Sequence, residues 1–237
     1  MASFNEMQDA TAGGVAYADV NTRATFIAKT YFHLIGAVIA FTVLEMIFFT
    51  SGVAQTMAQA MLSVNWLFVL GGFVVFGWIA THVAHRTTSL PVQYLALAGY
   101  VVGEAIIFIP LLWLAQTYVG ENVIASAAVA TLFGFSLLSL IVFFTRKDFS
   151  FLRGLLFWGM GIALVFIVCG AIFGFTLGPA FSVAMIALAG GAILYDTSNV
   201  LHHYPEDRYV AASLELFASV ALLFWYVLQL FMSLSRE

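Results

Sequence analysis

Charged side chains are scarce in this sequence, which excludes an ordinary soluble domain. Only 8% of the residues are charged, whereas 63% are hydrophobic. Soluble domains carry about 25% charged residues, so too few polar side chains are present here to cover a surface that faces water. The composition therefore indicates an integral membrane protein whose main partner is the lipid bilayer. The net charge of −4 gives no indication of a nucleic-acid partner, and we expect none.

Cysteine, lysine and histidine are missing where several membrane functions need them. The single cysteine, Cys169, excludes an internal disulfide. No lysine lies within a predicted span, which excludes a retinal Schiff base, and neither a His-Glu-x-x-His zinc motif nor paired mid-membrane histidines for haem are present. Gly134, Phe135 and Ser136 match a rhomboid-like serine motif only faintly, and no later span supplies a histidine base. We therefore expect no enzymatic activity.

Seven apolar segments follow a polar amino-terminal stretch, and each is near the roughly 20 residues that a spanning helix needs. They are 30–50, 62–80, 92–118, 122–144, 154–174, 179–201 and 209–233. The short links between them predict an all-α bundle of seven transmembrane helices over residues 30–237. Residues 1–29 show no apolar period and no cleavable signal, so they are predicted to form a flexible cytoplasmic tail.

Basic residues indicate the orientation of the predicted bundle. If the spans alternate in direction, seven of the eight Lys and Arg residues fall on one side, and only Arg236 falls on the other. Those seven are Arg23, Lys29, Arg86, Arg146, Lys147, Arg153 and Arg208. By the positive-inside rule, the amino terminus is predicted to be cytoplasmic and the carboxyl terminus to be outside.

Asp196 is the most informative residue, because it lies near the end of the sixth span with apolar residues on both sides. A charge in a bilayer is costly, so such a residue is expected to face the protein interior and to mark a site. Glu45, Glu104 and Glu215 also lie within spans, and no basic side chain lies at their depth. Acids without a cationic partner are candidates for sensing protons or binding a cation.

Asp196 and Glu215 flank the same polar link, so an antiparallel hairpin brings the two carboxylates to similar depth. If they lie close together they titrate as a coupled pair and share a proton at low pH. When both are charged they attract a hard cation such as Ca²⁺, to which Asn199, on the same helical face as Asp196, adds an oxygen. The alternative is that each acid hydrogen-bonds locally near the membrane interface.

A stripe of polar residues on the seventh span is expected to face the interior of the bundle. It consists of Glu215, Ser219, Leu222, Tyr226, Gln229 and Ser233. The stripe either lines a water path, with Leu222 as an apolar gate, or only hydrogen-bonds to neighbouring helices. Glu104, one turn after Tyr100 near the middle of the third span, is a further candidate, whereas Glu45 is expected to extend to the outer interface.

Four parts of the sequence match a known pattern: Asn21–Arg23 with Thr30–Phe32, Thr145–Leu152, Ile193–Asn199 and Tyr209–Phe217. Together they resemble the Bax inhibitor family, also called transmembrane Bax inhibitor motif proteins. The first part is similar to the start of the bacterial YccA-like branch. The resemblance implies a seven-helix fold with a central sixth spanning helix, located in the bacterial inner membrane.

The resemblance implies a pH-sensitive calcium leak for some relatives. For the YccA-like branch it implies association with, and restraint of, the membrane-bound AAA protease FtsH. Calcium-leak members pair the aspartate that matches Asp196 with a second aspartate in the seventh helix. Ser219 occupies that position here, as in the YccA-like branch, and Glu215 lies one turn earlier on the same face.

Two hypotheses follow from these residues and from the resemblance. The first is a YccA-like modulator of FtsH. The second is a pH-sensitive calcium leak or cation transporter that uses Asp196 with Glu215, supported by Ser219 and Asn199. No cofactor other than Ca²⁺ is expected.

Overall fold

The computed structural model describes residues 15–17 and 19–235, and every regular element within them is helical. A 3₁₀ turn at Val15–Tyr17 precedes α1 (Val20–Thr50), α2 (Val53–Ser63), α3 (Trp66–Arg86), α4 (Leu90–Tyr118), α5 (Glu121–Thr145), α6 (Leu152–Phe173), α7 (Pro179–His202) and α8 (Tyr209–Leu234). All of these α-helices except α2 are long and apolar enough to cross a membrane, and they number seven. The predicted all-α membrane protein with seven spans is confirmed.

The first helix begins well before the predicted first span at residue 30. α1 starts at Val20, because the Asp19 carboxylate accepts a hydrogen bond of 2.8 Å from the N–H of Thr22. Such a cap satisfies one of the backbone donors that have no partner at a helix start. The Asp19 signal was present in the sequence, but the polar composition of this stretch led to the prediction of a tail.

Part of the predicted tail belongs to the folded domain. Val15 is fully buried, and its N–H donates to the backbone carbonyl of Tyr204 at 2.8 Å. Phe26 is also buried and packs near the Tyr204 ring, with 6.4 Å between the ring centroids. The other residues of the predicted tail, 1–14 and 18, lie outside the described residues.

The short helix α2, between the first two spans, was not predicted. It places Ala54 in one apolar cluster with Ile109 of α4. The side chain of Asn65 then caps α3 by accepting a hydrogen bond of 3.0 Å from the N–H of Leu67. Because of this cap, the second spanning helix begins at Trp66 and ends at Arg86, later in the chain than the predicted 62–80.

The interior of the bundle is formed mainly by α4 and α8. In the most apolar 18-residue window of each helix, 61% of the α4 residues and 56% of the α8 residues are buried, whereas 39% of the α7 residues are. α8 packs against α1, α3, α4, α5 and α7, whereas α7 packs mainly against α5, α6 and α8. The sixth spanning helix, α7, was expected to be central, but it shares the interior with α4 and with α8, which contacts more of the bundle.

We expect Gly103→Ala and Gly36→Ala to change stability differently. A Cβ at Gly103 would lie 2.5 Å from Cε1 of Phe76, whereas a Cβ at Gly36 would meet nothing within 4 Å. Alanine favours a helix over glycine by up to about 1 kcal/mol, so Gly36→Ala should stabilise the protein. Gly103→Ala should lose that gain because the Phe76 ring must move. Chemical unfolding in detergent measures both, and equal shifts would contradict the close α3–α4 packing.

Candidate functional site

Asp196 lies on a buried face of α7, with 8% of its surface exposed. Ser219 Oγ on α8 donates a hydrogen bond of 2.5 Å to Asp196 Oδ2. Thr197 and Ser198, the next two residues, are fully buried. The carboxylate therefore faces the neighbouring helix instead of lipid, where an isolated charge would be costly.

Glu215, one turn before Ser219 on α8, contacts two residues from elsewhere in the chain. His85 Nε2, in the last turn of α3, lies 2.5 Å from Glu215 Oε1, and the Tyr204 hydroxyl donates to Oε2 at 2.6 Å. Both carboxylate oxygens are therefore engaged. Among the described residues no hydrogen bond joins Glu215 to Asp196.

His85 and Tyr204 contact Glu215, Arg208 contacts His85, and none of the three was predicted from the sequence as part of the site. Burial, reinforced by the nearby Glu215 carboxylate, raises the pKa of Tyr204 well above its usual value, so the hydroxyl stays protonated and donates. Arg208 Nη1 donates to the backbone carbonyl of His85. A cation at that point also complements the negative end of the α3 dipole. The sequence did contain one indication of this group, because His85 lies beside Arg86 at the end of an apolar span.

Asp148 connects the link between α5 and α6 to the end of α7. Its Oδ1 accepts hydrogen bonds from the Ser150 N–H at 2.8 Å and the Ser198 hydroxyl at 3.3 Å, and its Oδ2 lies 3.0 Å from His203 Nε2. The Phe149 N–H donates to Ser198 Oγ at 2.9 Å. The Ser150 N–H is the main cause that lowers the pKa of Asp148. Two of the stretches that carry the family resemblance are therefore in direct contact.

The polar stripe of α8 lines two cavities that share Tyr226. The first, of about 430 Å³, is also lined by Ser219 and by Glu104 of α4. The second, of about 530 Å³, is also lined by Gln229. Leu222 lies in the wall of the first cavity. The stripe therefore faces space between the helices, beginning beside the residue that binds Asp196.

The predicted calcium ligands Asp196 and Glu215 each bind protein side chains in this structure. Asp196 contacts Ser219, and Glu215 contacts His85 and Tyr204. Calcium binding by these residues stays a prediction, and Ca²⁺ would take about six to eight oxygen ligands in all. Among the described residues no hydrogen bond joins the Asn199 side chain to either carboxylate, and its role as a third oxygen ligand stays a prediction. The described residues also contain no group of three or more His, Cys, Asp or Glu side chains suited to a metal ion.

We expect Tyr204→Phe and Glu215→Ala to destabilise the protein non-additively, because each change removes the other residue's hydrogen-bond partner. Residues in direct contact show coupling energies of about 0.5–3 kcal/mol in such cycles. Unfolding of the wild type, both single variants and the double variant measures the coupling. Ser233→Ala, near the other end of α8, is the control and should be additive with Glu215→Ala. Additive losses for Tyr204 and Glu215 would show that the hydrogen bond contributes nothing.

Known proteins are similar to this chain over much of its length. The family described as Inhibitor of apoptosis-promoting Bax1 matches residues 23–236. The protein named Modulator of FtsH protease YccA, from Escherichia coli (strain K12), is 34% identical over 143 residues, which are 59% of this chain and 61% of that protein. Inner membrane protein YccA, from Escherichia coli O6:H1, is similar to the same extent. The chain therefore aligns with about three fifths of the length of these two relatives.

A third relative is similar over a longer part of both chains. The Golgi anti-apoptotic protein of Vaccinia virus (strain Lister) is 26% identical over 220 residues, which are 91% of this chain and 88% of that protein. The family match runs from the first turn of α1 to the end of α8. This chain therefore belongs to the Bax inhibitor family, that of the Inhibitor of apoptosis-promoting Bax1.

Proposed function

We propose that this protein is a YccA-like modulator of the protease FtsH in the bacterial inner membrane. Partner and location come from the names of the two Escherichia coli relatives. The observation that carries the proposal is the hydrogen bond from Ser219 to Asp196. A serine stands where the resemblance to calcium-leak members expects a second aspartate, which favours the YccA-like branch. The protein acts by binding and carries out no catalytic step.

The surface that we assign to FtsH is the end of the bundle that carries the basic links, which we name the basic end. It comprises the links after α3, α5 and α7. Contacts between Arg208 and His85, and between Asp148 and His203, hold these links together. By the positive-inside rule, the basic end faces the cytoplasm, where the protease can bind exposed basic residues. Arg86, Arg146, Lys147 and Arg153 are exposed there.

We expect the affinity-tagged protein to recover FtsH from detergent-solubilised membranes, and its deletion to change the turnover of membrane substrates of FtsH. Reversing two exposed charges, in Arg146→Glu with Lys147→Glu, should reduce the recovery of FtsH because the protease would meet a surface of opposite sign. The matched control is Arg236→Glu, predicted to lie on the opposite side of the membrane, which should leave recovery unchanged.

Two results together would overturn this proposal. They are failure of the wild-type protein to recover FtsH and unchanged substrate turnover on deletion. Equal recovery by the charge-reversed variant and the wild type would place the contact away from the link after α5.

A second candidate function is a pH-sensitive cation leak. It is favoured by the two cavities that share Tyr226 and extend along the α8 stripe from Ser219. Ser219 binds Asp196, so the first cavity reaches the neighbourhood of that acid. This candidate does not exclude binding to FtsH.

We expect the purified protein in liposomes to pass Ca²⁺ with a flux that depends on pH, and Asp196→Asn to flatten that dependence because amide nitrogen and oxygen do not titrate in this range. Fluorescence of a trapped calcium indicator measures the flux. Asp207→Asn is the control, since Asp207 lies on an exposed link and should not affect the curve. An unchanged curve for Asp196→Asn would remove Asp196 from the conduction mechanism.

A further inference from the structure

The cavity of about 430 Å³ beside Ser219 reaches the surface of the bundle that faces lipid. Its wall includes buried side chains of α4, such as Tyr100 and Phe108. It also includes Trp78 of α3 and Met160 of α6, which are 65% and 45% exposed. α3 packs mainly against α4, and α6 packs mainly against α7. The cavity therefore connects the interior of the bundle with the surrounding bilayer between α3 and α6.

The wall of this cavity presents hydrocarbon, because most of its polar side chains already have partners. Ser219 donates to Asp196, and the Thr81 hydroxyl donates to a backbone carbonyl one turn earlier at 3.0 Å. Glu104 accepts a hydrogen bond from Tyr100 on the same helix. The rest of the wall is formed chiefly by aliphatic and aromatic side chains. A cavity of this kind between helices binds an apolar ligand.

The cavity has the length of an acyl chain in one leaflet. On α6 its lining runs from Leu156 to Ile167, a rise of about 17 Å at 1.5 Å per residue. Half of the hydrocarbon core of a bilayer is about 15 Å thick. Leu156 lies near the start of α6, beside the basic end. The cavity therefore extends from the level of the lipid headgroups toward the middle of the bilayer.

A cation lies at the headgroup end of the cavity. Arg153 is exposed in the first turn of α6 and makes no ion pair with any residue that the structure describes. It precedes Met160 by two turns, so it lies on the face of α6 that lines the cavity. Arg146 and Lys147 on the preceding link add positive charge, and Asp148 is the one carboxylate of that link. A guanidinium group presents a fork of N–H donors that matches a phosphate.

We propose that this cavity, which we name the α3–α6 pocket, binds one acyl chain of an anionic phospholipid whose phosphate contacts Arg153. The chain enters between Trp78 and Met160 and follows α6 toward Trp225 of α8, which lines the pocket at the depth of Ile167. A chain there excludes water, so a bound lipid and an open cation path do not occupy the pocket together. The proposal does not depend on binding to FtsH.

The test measures whether a brominated acyl chain reaches Trp225, because bromine quenches tryptophan fluorescence only at short range. The reporter protein keeps Trp225 as its only tryptophan and has phenylalanine at positions 66, 78, 113 and 158. Nanodiscs of phosphatidylcholine receive an increasing fraction of brominated phosphatidylglycerol, which is anionic, or of brominated phosphatidylcholine, which is not. We expect half-maximal quenching at about a fivefold lower fraction of phosphatidylglycerol, the preference that one basic residue provides near an anionic lipid.

Matched variants separate the headgroup contact from the acyl-chain contact. Arg153→Gln should remove the preference for phosphatidylglycerol, whereas Arg23→Gln removes a cation from α1, which does not line the pocket, and should keep it. Ala192→Leu fills the pocket from α7 without changing a charge and should abolish quenching of Trp225 by both lipids. A second reporter with Trp158 alone, which is 72% exposed on the opposite face of α6, should be quenched by both lipids in every variant.

Three results would each overturn the proposal. Equal quenching of Trp225 by the two lipids would show that the headgroup is not selected, and so would a preference that persists in Arg153→Gln. Quenching that persists in Ala192→Leu would show that bromine reaches Trp225 from outside the pocket. Absence of quenching in the unaltered pocket would show that no acyl chain enters it.

Discussion

The hydrogen bond between Ser219 and Asp196 fixes how the last two helices pack. An aspartate inside an apolar bundle needs a donor, and a serine on the facing helix supplies one at a single rotation and height of α8 against α7. At that setting Glu215, one turn away, faces His85 and Tyr204. Burial of Asp196 therefore also positions Glu215 beside His85 and Tyr204.

The structure of the basic end depends on the same packing of α8 against α7. Ser198, two residues after Asp196, receives the N–H of Phe149 and donates to Asp148, so the link after α5 is attached directly to α7. Tyr204 binds Glu215 through its hydroxyl and Val15 through its carbonyl. The amino-terminal segment and two links are therefore held by the helices that carry the acids. A change in the packing of α7 against α8 would move the surface that we assign to FtsH.

The spans could be predicted from the sequence because length and hydropathy suffice when every backbone group must be paired within a helix. The starts of α1 and α3 depend on single capping residues, Asp19 and Asn65. The apolar composition used to predict the spans does not indicate such caps. The buried position of Asp196 was predictable because one acid interrupts an apolar run. The partner of Glu215 was not, since His85 lies 130 residues away in the chain and its proximity depends on how α3 packs against α8.

Burial alone does not place the acids of this bundle in one polar network. Asp196 has a hydroxyl donor and Glu215 has a histidine and a tyrosine. Glu45 was expected to extend to the outer interface but is buried, and the described part of the chain supplies no hydrogen-bond partner for its carboxylate. Glu45 lies near the end of α1 that is opposite to Val20, and Val20 lies beside the basic end, where Val15 contacts Tyr204. Glu45 and Glu215 therefore lie in opposite halves of the bundle. Phe217 and Val220 of α8 line a cavity together with Glu45, and Ser219, which donates to Asp196, lies between them in sequence. The packing of α8 around Glu45 and the hydrogen bond to Asp196 therefore depend on the same turn of one helix.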